Sequence, residues 1–241
     1  MRVFIQAKNG IPQDYDHFNA YCGFKEMGFE TIFFETYEEL ALSNREDVVV
    51  GYIGTVKRRL SDFGTEIIDT DYPDCLKNYL GRRIWNATIN EINSNPDIWP
   101  VFVKPINNKK FTGRVINSPA DLIGCGSCYD NAAVICSDVL EIIAEYRVFV
   151  RYCKILDVRR YKGDWKIYPD YQLIEDCVGK YINSPYGYAI DFGVTKEGKT
   201  VLIEVNNTCS LGSYGLYCID YAKLLSARWS ELMGTEDECN F

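Results

Sequence analysis

The hydrophobic positions fall first into short continuous runs. Arg2–Gln6, Glu30–Phe34 and Val48–Ile53 are brief stretches rich in β-branched and aromatic residues, the pattern of strands buried in a sheet. Between them the spacing becomes helical. Phe18, Tyr21, Phe24 and Met27 recur every third residue before Gly28, which predicts a helix from Pro12 ending in a glycine cap. Tyr37–Leu42 predicts a shorter helix, and Val56–Phe63 another that stops at Gly64. This alternation of strand and helix implies an α/β unit with parallel pairing, followed by a further strand at Glu66–Ile68.

The texture changes after Asp71. Tyr72-Pro73-Asp74 reads as a helix start, Trp85–Asn93 as a second helix, and Asn95-Pro96-Asp97 with Trp99-Pro100 as a turn-rich hinge. Strands then alternate with loops at Val101–Lys104, Val134–Cys136, Glu145–Tyr152, Lys154–Tyr161, Ala189–Val194 and Thr200–Val205. Helical spacing returns at Pro169–Lys180 and Ile219–Met233, and the acidic segment Thr235–Phe241 is expected to be mobile. There is no internal repeat.

Composition narrows the class. Of 241 residues, 47% are hydrophobic and 25% charged, which fits a folded globular chain and excludes disorder over most of its length. The net charge of −8 argues against a nucleic-acid grip or attachment to an anionic membrane. The ten cysteines are scattered through apolar contexts, as expected of reduced thiols in a cytoplasmic protein. No secretory leader is evident at the start, and no apolar run approaches the ~20 residues of a membrane helix. Cys125-Gly126-Ser127-Cys128 is a lone Cys-x-x-Cys without the second pair that a zinc site wants. His17 is the single histidine. A surface or packing role is expected of it, and a Ser-His-Asp engine is correspondingly disfavoured.

The densest chemistry lies between Tyr188 and Asn206. Ala189–Val194 and Val201–Asn206 flank a polar turn, Lys196-Glu197-Gly198-Lys199, and read as a β-hairpin. If Glu197-Gly198 is a two-residue turn, Asp191 stands opposite Glu204, with Asn206 on the same face. Facing carboxylates repel. Either water dilutes their charge on an outer face, or a hard cation such as Mg²⁺ sits between oxygen ligands.

Three further segments carry charge on or beside strands. Lys104 closes the apolar strand Val101–Lys104 and offers an ammonium to a phosphate, or snorkels to solvent. Lys109-Lys110-Phe111-Thr112-Gly113-Arg114 is either a phosphate-approaching loop or an exposed basic turn. In Glu145–Arg151 alternation puts Glu145, Arg147, Phe149 and Arg151 on one face, so Arg147 is either an anion fork or half of a structural ion pair. Arg159 offers a second cation from the next strand. Tyr186-Gly187-Tyr188 and Gly212–Tyr217 are either acceptor-pocket loops or packing corners.

Taken in order, these pieces resemble the ATP-grasp superfamily, specifically its compact phage and bacterial members of the carboxylate–amine ligase type. The resemblance rests on Val103-Lys104-Pro105, Phe111-Thr112-Gly113, Val134–Val139, Glu145-Tyr146-Arg147, Ile190-Asp191-Phe192 and Glu204-Val205-Asn206. It implies an α/β (α+β) ATP-grasp fold behind a small N-terminal Rossmann-like domain. The expected division is 1–85 for that domain and 86–241 for the ATP-grasp domain, with a lid near 100–140. It implies ATP contacts from Lys104, Lys110, Thr112, Gly113, Ser137, Asp138, Val139 and Glu141, and catalytic roles for Arg147 and Arg159. Asp191, Glu204 and Asn206 would hold Mg²⁺. The implied enzyme is an ADP-forming ligase that joins a small-molecule or peptide carboxylate to an amine through an acyl phosphate. A kinase of the same fold and a non-catalytic ATP-sensing module remain alternatives.

Overall fold

The computed structural model describes residues 1–68, 71–106, 111–126 and 130–241. The chain divides into two compact units. One joins 1–79 to 143–241, and the other is the intervening Leu80–Ile142. This grouping differs from the linear division at residue 85, because the first and last thirds of the chain share one core.

The first unit opens with β1 (Arg2–Lys8), a two-residue β2 (Ile11–Pro12) and α1 (Tyr15–Glu26). It continues with β3 (Glu30–Phe34), α2 (Tyr37–Leu40), β4 (Val48–Val50) and α3 (Ile53–Asp62). β1 lies between β3 and β4 and pairs with both in parallel. α1 begins at Tyr15 rather than Pro12 because the Asp14 carboxylate caps it, accepting the His17 N–H at 2.9 Å. Its end at Gly28 follows expectation, with φ +87°. The segment Glu66–Ile68 forms no strand.

The second unit contains β5 (Ile84–Thr88), α4 (Ile89–Ser94), β6 (Val101–Pro105), β7 (Arg114–Ile116) and β8 (Ala133–Asp138), with sheet order β5-β8-β6-β7. The helix expected over Trp85–Asn93 is therefore mostly strand. Ile84 to Thr88 pair with β8, and the helix starts only where Thr88 and Glu91 form a reciprocal capping box. Pairing with a neighbouring strand overrides local spacing here. β7, three residues long, is too short to show a period. The core comprises Val101, Val103, Ile116, Val134 and Cys136 with Ile89 and Ile92.

The chain then returns to the first unit with β9 (Ile142–Arg151), β10 (Lys154–Gly163), α5 (Tyr171–Lys180), β11 (Gly187–Thr195), β12 (Thr200–Asn207) and α6 (Cys218–Met233). Their sheet order is β10-β9-β11-β12. α6 packs on α1 so closely that a Cβ on Gly23 would lie 2.0 Å from the Cys218 carbonyl oxygen. One core unites Val3, Phe4, Ile5, Phe24 and Leu60 with Phe149, Leu211, Leu224 and Trp229.

The C-terminal segment is held rather than mobile. Asp237 accepts from Arg151 Nη2 at 2.7 Å, Tyr152 Oη at 2.9 Å and Ser226 Oγ at 2.6 Å, and Cys239 is fully buried. Composition suggested a free acidic tail, but the half-buried Arg151 recruits the carboxylate. Among the described residues no helix is long and apolar enough to cross a membrane.

Candidate active site

The β11–β12 hairpin reaches the expected pairing by an unexpected route. Its turn is one residue longer than supposed. Thr195 N–H donates to Lys199 O and Gly198 N–H to Thr195 O, with Gly198 at φ +78°, so three residues form the loop. Val194, Gly193 and Phe192 accordingly pair with Thr200, Val201 and Leu202. That register would displace Glu204 by one position. A bulge at Ile203 restores it, and Asp191 faces Glu204 while Ala189 faces Asn206.

Asp191 is 2% exposed, and both its oxygens are engaged by Arg147 from β9. Nε donates to Oδ1 at 2.8 Å and Nη2 to Oδ2 at 2.7 Å, a bidentate fork. Asn206 Nδ2 donates to Oδ2 at 3.0 Å, which turns its own carbonyl oxygen away from Asp191. Burial pushes the Asp191 carboxyl above its ordinary value and the Glu204 charge adds to this, against the opposing pull of Arg147. Burial also works against the Arg147 charge, but Asp191 outweighs it and the guanidinium is held above its ordinary value.

Arg147 is clamped on its remaining sides. Nη1 donates to Gly212 O at 3.3 Å, and the guanidinium lies 4.8 Å from the Tyr214 ring and 5.8 Å from that of Tyr161. Those two rings stack on each other at 4.8 Å. Burial, then the charges of Asp191 and Glu145, push the Tyr161 phenol far up, so it stays protonated.

Arg159 stands directly opposite Arg147 across β10 and β9. Its Nη2 meets Asp157 at 2.6 Å, while its Nε is buried without a hydrogen-bond partner. One face of the sheet therefore carries a row of charges, one per strand: Arg159, Arg147, Asp191, Glu204. The inner two are joined. Each end presents a like-charged neighbour, cationic on one side and anionic on the other, a pattern that destabilises a sheet unless counter-charges are supplied. Among the described residues no group of three His, Cys, Asp or Glu side chains is gathered as for a metal. The hairpin set has two acids and an amide.

The other sequence-derived candidates belong to the second unit. Register puts Lys104 and Phe102 of β6 beside Ile135 and Ser137 of β8 on one face. Gly113 lies over that face, where a Cβ would approach Phe102 Cζ to 2.6 Å and Lys104 Cβ to 3.3 Å. Lys104, Ser137 and Gly113 are thus brought together, with Thr112 exposed next to Gly113. Asp138 is tied within its own sheet, accepting from Arg83 N–H and Nη2, each at 3.0 Å. Val139 and Glu141 are exposed. Lys110 and Cys128 lie outside the described residues, and Cys125 is buried.

The two aromatic-glycine loops separate. Gly187 is a packing corner, since a Cβ there would lie 2.5 Å from Leu224 O. The Gly212 loop instead contacts Arg147 and, through Ser213, Asp16. Ser213 N–H and Oγ donate to Asp16 Oδ1 at 2.8 and 2.6 Å. The sequence reading singled out neither Asp14 nor Asp16, although Asp-x-Asp-His at a helix start just after a strand was a visible signal, and His17, of which a surface or packing role was expected, is buried.

The fold is that of an ATP-grasp protein. The family described as ATP-grasp domain, R2K clade family 2, matches residues 79–224, more than half of the chain, and the chain belongs to it. No curated protein sequence matches. Solved structures share the fold at low identity. N5-carboxyaminoimidazole synthetase from Staphylococcus aureus is 11% identical with a TM-score of 0.61, covering 98% of this chain and 77% of its own. D-alanine–D-alanine ligase from Bacillus anthracis, complexed with ATP, is 14% identical with a TM-score of 0.60, covering 97% and 98%. The macrocyclase MdnC from Microcystis aeruginosa, bound to its precursor peptide MdnA, is 13% identical with a TM-score of 0.52, covering 93% and 99%.

Proposed function

We propose that the protein is an ATP-dependent carboxylate–amine ligase acting on small-molecule or peptide substrates through an acyl phosphate. The observation that carries this reading is the charged row Arg159, Arg147, Asp191, Glu204 on one sheet face of an ATP-grasp chain. Three strand spacings, about 14 Å, separate its ends. The cationic end suits phosphoryl oxygens, and the orphaned Arg159 Nε is a buried donor that such an oxygen would satisfy.

Magnesium fits the anionic end. Glu204, the Asn206 carbonyl and Asp191 are hard oxygen donors, and the Glu204 charge, which adds to burial in raising Asp191, is a like-charge conflict that a cation relieves. When bound, Mg²⁺ supplies charge neutralisation to the nucleotide phosphates. This chain's residues do the rest. Arg147 and Arg159 position and neutralise the transferred phosphoryl group, and the stacked tyrosines fix the guanidinium and exclude water around it. Lys104, Ser137 and Gly113, with Lys110, Thr112, Asp138, Val139 and Glu141, would contact the nucleotide. No side-chain nucleophile is required, because phosphoryl transfer rests on positioning and electrostatics.

ADP release measured with and without a carboxylate and an amine tests the reading. ADP should form only when both are present, and Asp191→Asn and Glu204→Gln should abolish it. Unchanged turnover in both variants refutes the site. A second reading, an ATP-sensing module, draws on the complete engagement of Asp191 by Arg147. It is separated by ATP-dependent thermal stabilisation without any ADP release.

A further inference from the structure

The first unit encloses a small cavity. It is bounded by Val49, Val50 and Gly51 at the end of β4, by Asp14, Asp16 and His17 at the start of α1, and by the Thr208–Leu211 loop. Its volume is about 40 Å³, room for roughly three waters or the tip of a side chain rather than a whole metabolite. Such a place, at the C-terminal ends of parallel strands, is where open α/β sheets take ligands.

His17 is the informative residue. It is 4% exposed, and its Nδ1 has no hydrogen-bond partner. The backbone of Gly51 and Gln6 faces the ring and pulls its pKa upward. Nδ1 stands 3.6 Å from Asp14 Oδ1, too far for a bond. The Asp14 carboxylate, which caps the helix through the His17 N–H, thus faces a buried ring nitrogen that no group in the cavity satisfies. Burial lowers the pKa of the ring and favours its neutral form, so the carboxylates of the wall gain no counter-charge from it. Asp16 adds a second carboxylate to the wall. A hydroxyl would satisfy one acceptor, and an anion would be repelled by both acids. An ammonium carries three donors and the charge that two carboxylates need.

The cavity also borders the charged row. The position that a Gly212 Cβ would take is 3.8 Å from Asp16 Oδ2 and 3.6 Å from Arg147 Nη1. A group held by Asp16 is therefore delivered beside the guanidinium that the proposed phosphoryl chemistry uses.

We propose that the Asp14–Asp16–His17 cavity binds the ammonium end of an amine substrate, so that the acceptor class is a primary amine rather than a hydroxyl, a thiol or a second carboxylate. This deepens the ligase reading and rests on it for the fate of the amine, but not for its binding.

Because His17 is the only histidine, its imidazole resonances report on the cavity without mutation. The wild-type protein is titrated, without nucleotide, with ethylammonium chloride, ethanol, sodium acetate and sodium chloride at matched ionic strength. A saturable His17 shift with ethylammonium alone is expected. Asp14→Asn, which keeps the helix cap while removing the charge, should weaken it about tenfold or more. A cavity that holds ordered water only would give no saturable shift, or the same shift with ethanol, and that result overturns the inference. Unaltered affinity in Asp14→Asn does so as well. ADP release is followed in parallel. Turnover without any His17 response to amine removes this inference and leaves the ligase reading. A His17 response in a protein that never releases ADP keeps the amine site and removes the ligase.

Discussion

Replacing Asp191 by Asn isolates the energetic role of the Arg147 fork. The carboxylate and guanidinium side chains are 3% and 9% exposed, and two charge-assisted bonds join them. In Asp191→Asn one oxygen remains, the charge is gone, and the buried guanidinium retains only the Gly212 carbonyl and the Tyr214 and Tyr161 rings. Breaking one side of such a pair costs about 3–5 kcal/mol, chiefly the penalty of an uncompensated buried charge. For a chain of this size that corresponds to a fall in Tm of roughly 6–20 °C. Calorimetric melts of wild type, Asp191→Asn, Arg147→Met and the double variant Arg147→Met/Asp191→Leu complete the test. The double variant should recover much of the loss, since well-packed apolar replacements of a buried pair are often near neutral. A single-variant loss below about 1 kcal/mol, or a double variant that merely sums the two singles, would show that the pair is not an energetic unit.

Three further outcomes are expected. Asp237→Ala strands Arg151 and should cost about 3 kcal/mol in chemical denaturation, with earlier proteolysis of the C-terminal segment; an unchanged midpoint contradicts the network. Gly23→Ala drives a methyl into the Cys218 carbonyl and should destabilise by about 1–3 kcal/mol, whereas a neutral result would mean that α1 and α6 can separate freely. Burial depresses His17, despite Asp14, Asp16 and two carbonyls pulling the other way, so its imidazole should titrate below 6.5 by NMR. The unfolded chain then binds more protons than the folded one in the window below pH 6.5. Stability attributable to His17 is complete above that value and lost as pH falls through it, which the difference between wild type and His17→Gln should show as a positive slope of stability with pH. A slope of the opposite sign refutes the assignment.

Much of this architecture was legible because its strands are long and its charges sit at fixed parity. Glu30–Phe34 matched residue for residue, and the pairing of Asp191 with Glu204 was anticipated from alternation. That second success hid two offsetting facts, a longer turn and a bulge at Ile203, neither of which leaves a mark in hydrophobic pattern. Trp85–Thr88 was misread because five residues of strand ahead of a short helix mimic one longer amphipathic segment. His17 was assigned to surface or packing since one histidine carries no periodic signal. Its enclosure by β4 and by a loop near residue 210 comes from contacts between remote parts of the chain. The closing of the C-terminal segment onto Arg151 is likewise long-range and invisible to composition.

The shared core of the first unit also bears on how the chain is made. Val3, Phe4 and Phe24 emerge from the ribosome early, yet Leu224 and Trp229, which pack in the same core, are translated at least 200 residues later. At about 5–20 residues per second the delay is on the order of ten to forty seconds. Throughout it the nascent parallel strands present unsheltered apolar surface, while Leu80–Ile142 can already collapse around its own centre. Biogenesis should therefore be two-tempo, with the middle of the polypeptide maturing before its beginning, and a holding chaperone should engage the amino-terminal stretch until helix α6 arrives.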